Sequence, residues 1–180
     1  MTHDVPDVFE GTVEVDETYI GGQWKNKRLS VKRKQLHSKR GRGTTKQAVF
    51  GILCRNGKVW ADMIDGVDAK QLQTRILKQV KKGSVIYSDT WCGYTGIAAK
   101  GYVHRLVKHS KNNYVTNGNH INGLEGFWGY LKRKLAAKGG IRHERLHLYL
   151  GEYVWRYNYR HLNLKEQENY LIKLLKKYIR

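Results

Sequence analysis

Three acidic residues, Asp16, Asp89 and Glu125, could together do chemistry that none could do alone. Asp16 lies in "VEVDETYIGG", residues 13–22, an apolar, strand-like run that also holds Glu14 and Glu17. Asp89 lies in "VIYSDTW", and Glu125 in "NHINGLEGFWGYLKRKL". Carboxylates brought together repel and raise one another's pKa unless a cation sits between them. Hard divalent cations want oxygen ligands, and Mg²⁺ typically takes a few carboxylates plus substrate phosphates. Two such ions about 4 Å apart can activate a water or a 3′-hydroxyl and stabilise a leaving oxygen. That is phosphodiester chemistry.

The rest of the composition supplies a substrate of matching charge. Lys plus Arg number 34 against 15 Asp plus Glu, a net formal charge of +19 over 180 residues. Such an excess favours an anionic partner, with nucleic acid the first candidate. Much of it is concentrated in "KNKRLSVKRKQLHSKRGRGTTK", residues 25–46, which carries ten Lys or Arg and no acid. Two readings stand for the basic segment 23–46. It is a solvated loop, or it is a phosphate-contacting segment, ordered on DNA, in which Lys25, Lys27, Arg28, Lys32, Arg33, Lys34, Lys39, Arg40 and Arg42 make the contacts. No apolar run approaches the roughly 18 residues that span a bilayer, and "MTHDVPDVFE" lacks the charged and apolar regions of a secretory signal. Cys54 and Cys92 stand alone, with neither disulfide nor zinc spacing. The expectation is a reduced, cytoplasmic protein with no membrane and no small-molecule substrate.

The acids need elements to position them. Residues 12–20 read as a strand. The runs 47–55 and 58–64, broken at Asn56-Gly57, read as a hairpin. Asp68 reads as the N-cap of a helix through about Lys81, with Leu72, Ile76, Leu77 and Val80 on its apolar side and Gly83 ending it. "SVIYSD" predicts a short buried strand, "GYTGIAAK" a short helix and "YVHRLV" a fifth strand. Helices are predicted over roughly 120–137, 143–160 and 164–179. This order implies an α/β fold, a mixed five-stranded sheet flanked by helices, and it is the order of the ribonuclease-H-like fold. With the first and fourth strands side by side, Asp16 and Asp89 become neighbours at the strand ends where ligands bind open α/β sheets.

On the helix over 120–137, Ile121, Leu124, Trp128, Leu131 and Leu135 form one apolar stripe. Glu125 borders it, and Lys132, seven residues on, projects along nearly the same line. Glu125 can lean over the sheet end while Lys132 reaches a phosphate; from spacing alone, ordinary surface charges on an amphipathic helix are the simpler reading, and it is the combination with Asp16 and Asp89 that favours chemistry. Strand alternation puts Glu14 on the face of Asp16, as a secondary ligand or a support behind the ligands, and Glu17 on the other, as a partner for a basic side chain.

Four blocks, "VEVDETYIGG", "VIYSDTWCGY", "HINGLEGFWGYLKRKL" and "YLGEYVWRYNYRHLN", resemble in order the signature blocks of bacterial insertion-sequence DDE transposases of the ISXO type, a group related to the eukaryotic Merlin elements. The resemblance covers about residues 10–162, with 35 residues between Asp89 and Glu125. It implies a ribonuclease-H-like core, two Mg²⁺ or Mn²⁺ ions, double-stranded DNA as partner (element ends and target), and strand cleavage with transfer. Asp16, Asp89 and Glu125 fall on the family's three acids and Lys132 on its downstream lysine. Some members are described with Asn in the third role, and Asn122 is that alternative; an anionic oxygen suits a hard cation better than an amide does. The expected layout is a short N-terminal segment 1–11, the catalytic core 12–140 with its basic insertion, and C-terminal helices 141–180. Relatives carry a DNA-binding segment before the core, where about ten residues stand here, so end recognition falls to segment 23–46 and the C-terminal helices unless the copy is truncated.

Trp91 reads equally as packed aromatic or as stacking surface for a base or sugar. His120, near Glu125, Arg133, Arg156 and Arg160 are assigned to DNA, whereas His104 and His109 read as structural or surface and Tyr149, Tyr153 and Tyr157 as core. Joining two ends calls for a homodimer or higher oligomer on DNA. The alternatives to a transposase core are a catalytically silent, DNA-binding remnant of one and a basic RNA-associated protein.

Overall fold

The computed structural model describes residues 4–5, 7–22, 27–34, 44–55, 57–107, 121–139 and 141–178. Five strands form one sheet: β1 (Thr12–Ile20), β2 (Gln47–Cys54), β3 (Val59–Ile64), β4 (Val85–Ser88) and β5 (Val103–Leu106), in the order β3-β2-β1-β4-β5. β1, β2 and β3 pair antiparallel, and β4 and β5 add in parallel. This is the ribonuclease-H-like arrangement, and the first and fourth strands are indeed adjacent.

Strand alternation sends side chains to two cores. On one face Val13, Val15, Phe50, Ile52 and Ile86 pack against Leu72 and Ile76 of α2 (Ala69–Gln79) and against Tyr94 and Ile97. On the other, Val49, Leu53 and Val59 meet α3 (Asn122–Ala136) and α4 (Leu146–Asn158). The stripe read from the α3 sequence is buried at every position, with Phe127 beside it. Among its described side chains, the last helix, α5 (Leu164–Tyr178), contributes none that is fully buried. Asn158 of α4 pairs both ways with Val59, at 2.7 and 2.9 Å, so a side-chain amide occupies backbone groups of edge strand β3.

Asp68 caps α2 as expected, accepting from the Gln71 backbone N–H at 3.0 Å. Other details differ from the sequence reading. Leu77 is 42% exposed, and Gln73 takes the buried place, because its amide has partners there. "GYTGIAAK" forms two 3₁₀ turns, Cys92–Tyr94 and Ala98–Lys100, separated by Gly96 at φ +84, which breaks a helix. Inside the basic segment, Leu29–Lys34 forms a short helix, α1, where none was predicted. Asn56 of the hairpin turn lies outside the described residues, though the turn closes through Cys54 N–H to the Lys58 carbonyl at 3.0 Å.

Candidate active site at the ends of β1 and β4

Parallel pairing of β1 with β4 runs from Thr12↔Val85 to Glu14↔Tyr87. Continued by two residues, that register sets Asp16 beside Asp89, which follows the last residue of β4. The two carboxylates feel one another. Asp16 is pushed up to about 7, first by burial, then by the charge of Glu17, and further by Asp89; the Glu17 backbone N–H and the Trp128 indole pull the other way. Tyr94 lies in the same field. Its hydroxyl donates to Glu17 at 2.7 Å, and burial with Glu17, Asp16 and Asp89 drives its pKa well up. The partner seen for Glu17 is thus a phenol.

The loop after β4 presents Asp89. Its Oδ1 accepts from the Trp91 backbone N–H at 2.9 Å. The Trp91 indole donates to the Val67 carbonyl at 2.8 Å and packs on the first core, which favours the packing reading. Gln73 donates to the carbonyls of Gly93 and Thr95 at 3.0 and 2.9 Å and so holds the loop from below. Gln73 is not singled out by the sequence pattern; its signal is a polar residue beside Leu72 and Ile76 on the α2 stripe. Ser88 bonds His104 of β5 at 2.8 Å, and burial lowers the pKa of that imidazole, which makes His104 part of the sheet's support.

Helix α3 lies across β1 on the Asp16 side. Its first turn is anchored by Glu14, only 1% exposed, which accepts from the Leu124 backbone N–H at 2.9 Å. Arg55 pairs with the other oxygen of Glu14 at 3.5 Å and stacks on the Tyr87 ring. The secondary-ligand reading of Glu14 is therefore corrected. A helix N-terminus leaves N–H groups without intrahelical partners and carries partial positive charge, and Glu14 satisfies both. One turn on, Trp128 Nε1 donates to Asp16 Oδ2 at 3.0 Å. One turn further, Lys132 has its pKa lowered by the surrounding protein, against the pull of Asp16 and with the push of Lys46. Lys132 is thus the cation that feels the charge of Asp16, and Lys46, the last cation of the basic segment and not individually predicted, acts on Lys132.

Glu125 and Asn122 are exposed in the first turn of α3. Among the described residues, no group of three or more His, Cys, Asp or Glu is gathered closely enough to hold a metal ion. The structure brings together Asp16 and Asp89, with Lys132 beside Asp16, and leaves Glu125 on the helix above. Oxygen donors on adjacent strands, one of them held far from its ordinary pKa by its anionic neighbours and burial, are chemically suited to a hard divalent cation.

Of the assigned DNA contacts, Lys25, Lys39, Arg40, Arg42, His120 and the side chain of Lys34 lie outside the described residues, as does His109. Lys27 reaches Thr45 at 3.4 Å, and Arg28, Lys32 and Arg33 lie on or beside α1. Arg133 is exposed on α3. Arg156 pairs with Glu152 at 2.8 Å, and Arg160 stacks on Tyr157, so both are engaged on their own helix end. Tyr153 is buried in the second core, with Tyr149 and Tyr157 packed against it, as the sequence predicted.

Fold and site together define a ribonuclease-H-like protein with an acidic pair at its β1 and β4 strand ends. The chain belongs to a transposase family: the model described as "ISXO2-like transposase domain" matches residues 8–158. The chain is 34% identical over 119 residues to an uncharacterized transposase-like protein of Haemophilus influenzae, covering 66% of this chain and 94% of that one. It also matches a chain in the cryoEM structure of the simian T-cell lymphotropic virus intasome in complex with PP2A regulatory subunit B56 gamma. There the TM-score is 0.48 and the identity 14%, over 88% of this chain and 51% of the other, so this chain spans about half that length. Among the described residues no helix is long and apolar enough to cross a membrane.

Proposed function

We propose that this chain is the catalytic core of an insertion-sequence transposase that cleaves DNA at element ends and transfers the strand to target DNA. The observation that carries the reading is the Asp16 and Asp89 pair, with Asp16 pushed up to about 7. A cationic protein has no stability reason to bury a carboxylate beside two others.

Mg²⁺ or Mn²⁺, two ions in this reading, would be held by Asp16, Asp89 and Glu125, with Asn122 the alternative third donor. Bound there, such ions supply activation of a water or a 3′-hydroxyl and stabilisation of the leaving oxygen. The chain's own residues do the positioning. Lys132 binds a phosphate beside Asp16, with Lys46 adding positive charge next to Lys132, and Gln73 and the Trp91 backbone hold Asp89 in place. The cations on and around α1, with Arg133, bind the duplex backbone by charge, so affinity falls steeply with salt. The protein works in the cytoplasm, as a dimer or higher oligomer on DNA.

A second reading, DNA binding without turnover, draws on one observation: Glu125 is not gathered with the two aspartates. Nicking and joining of labelled element-end DNA with Mn²⁺ separates the two. The core reading expects metal-dependent product, with rates down at least about 10³-fold in Asp89→Asn and Glu125→Gln while DNA binding persists. Wild-type binding with no product at any metal concentration supports the second reading. Full activity in Glu125→Gln with loss in Asn122→Ala transfers the third position to Asn122.

A further inference from the structure

Trp128 reads from the sequence as one member of an apolar stripe, and packing alone would explain its burial. Two observations go further. A buried indole N–H requires an acceptor, and this one takes a carboxylate oxygen of Asp16 at 3.0 Å. The residue paired with Asp16 across β1 and β2 is Gly51. A Cβ on Gly51 would stand 2.7 Å from both Cη2 and Cζ2 of the Trp128 ring and 3.1 Å from Leu124. Strand β2 therefore lacks a side chain where the indole must cross the sheet to reach its acceptor.

The spacing of the two elements makes this a repeating attachment. Glu14 holds the backbone of Leu124, and Asp16 holds the side chain of Trp128. Two strand residues advance about 6.6 Å, and four helical residues about 6 Å. Successive same-face positions of β1 thus meet successive turns of α3, and the helix cannot slide or rotate without breaking one of the bonds.

We propose that Trp128, seated in the gap left by Gly51, is a positioning residue that fixes the Asp16 carboxylate for metal binding. The proposal rests on the reading of Asp16 as a metal ligand. Partners that orient a ligating group commonly change metal affinity 10–100-fold when removed, and a partner that serves only the core does not.

The test uses the full chain, ¹⁵N-labelled, with indole N–H cross-peaks recorded and that of Trp128 assigned by its loss in Trp128→Phe. Asp16→Ala should move the Trp128 cross-peak upfield as its acceptor disappears; an unmoved peak overturns the contact. Mn²⁺ titration should broaden the same peak in the wild type and not in Asp89→Asn. A peak that shifts in Asp16→Ala but never broadens with Mn²⁺ keeps the contact and instead removes the metal-ligand reading on which its purpose rests. With binding established in the wild type, Trp128→Phe should raise the Mn²⁺ midpoint at least about tenfold, read for both proteins by titration calorimetry because the variant lacks the reporting indole, at unchanged DNA affinity and with cooperative unfolding retained. An unchanged midpoint overturns the positioning role. Gly51→Ala should produce the same loss, and adding it to Trp128→Phe should do little more, because the smaller ring no longer fills the gap. Fully additive losses would mean that the two residues act independently, against the proposal.

Discussion

Glu14 and Asp16 stand two residues apart on one strand and face one helix, yet their surroundings treat them in opposite ways. At Glu14 everything compensates a buried negative charge: the Leu124 N–H at 2.9 Å, the first turn of α3 with its positive end, and Arg55 at 3.5 Å. At Asp16 the Trp128 indole and the Glu17 backbone oppose burial, Glu17 and Asp89, and they lose, leaving the carboxyl at about 7. Equal chemistry on the same strand face thus divides into an anchor and a carboxyl held far from its ordinary pKa. The first is complete without a ligand. The second is a carboxylate that a cation would relieve.

The largest expected effect tests the anchor. Glu14→Leu keeps the bulk but strips the acceptors from Leu124 and Arg55. Leaving a buried donor and a partly buried cation unpaired should cost about 3 kcal/mol. For a chain of this size that lowers the melting temperature by about 6–12 °C, read by calorimetry. A drop below about 1 °C would mean that α3 is held by its apolar stripe alone, and the contrast with Asp16 would disappear.

A smaller effect, of opposite sign, belongs to Asp16. Its folded-state pKa is raised above the ordinary 3.8 to about 7. Below both values the group is protonated whether the chain is folded or not, and contributes no difference. Between them the unfolded chain gives up its proton and the folded chain keeps it, so metal-free stability should fall as pH rises from about 4 to 7 and level off above. Asp16→Asn should remove that part of the slope. It should be more stable than wild type by about 1–2 kcal/mol at pH 8, below the limit of about 4 kcal/mol set by the full shift because local relaxation and water entry relieve the ionised carboxylate, and equal to it near pH 3.5. Denaturant midpoints without divalent ions read this out; identical slopes in the two proteins would show that Asp16 is as well compensated as Glu14.

The smallest effect is a control away from both carboxylates. Leu77→Lys replaces an exposed apolar residue on α2 and should change stability by less than about 0.5 kcal/mol, whereas Gln73→Ala, one turn earlier, frees the loop behind Asp89 and should cost about 1–2 kcal/mol. Equal effects at the two positions would mean that the loop is held by Trp91 and Gly93 packing without the amide.

The sequence by itself determined the order of the five strands and of helices α2 to α5, the apolar stripe of α3 and the Asp68 cap, because periodicity, turn residues and caps act within a few residues of one another. It also pointed to Asp16 and Asp89 as neighbours, because the element order is that of a fold in which the first and fourth strands lie side by side. It did not divide the labour of the "VEVDETY" acids. Alternation placed Glu14 and Asp16 on one face, but which of them meets a helix N-terminus depends on where α3, more than a hundred residues later, comes to rest. The places of Gln73, Gly51 and Trp128 have the same cause. Each reads locally as a polar helix position, a weak strand residue or one more stripe aromatic, and each takes its role from a partner distant in the chain. Exposed Leu77 shows the converse, a local signal outweighed by which side of an element the core happens to cover. Only tertiary packing settled these points, because burial, close approach and the electrostatic field of one carboxylate on another exist only once distant segments are in contact.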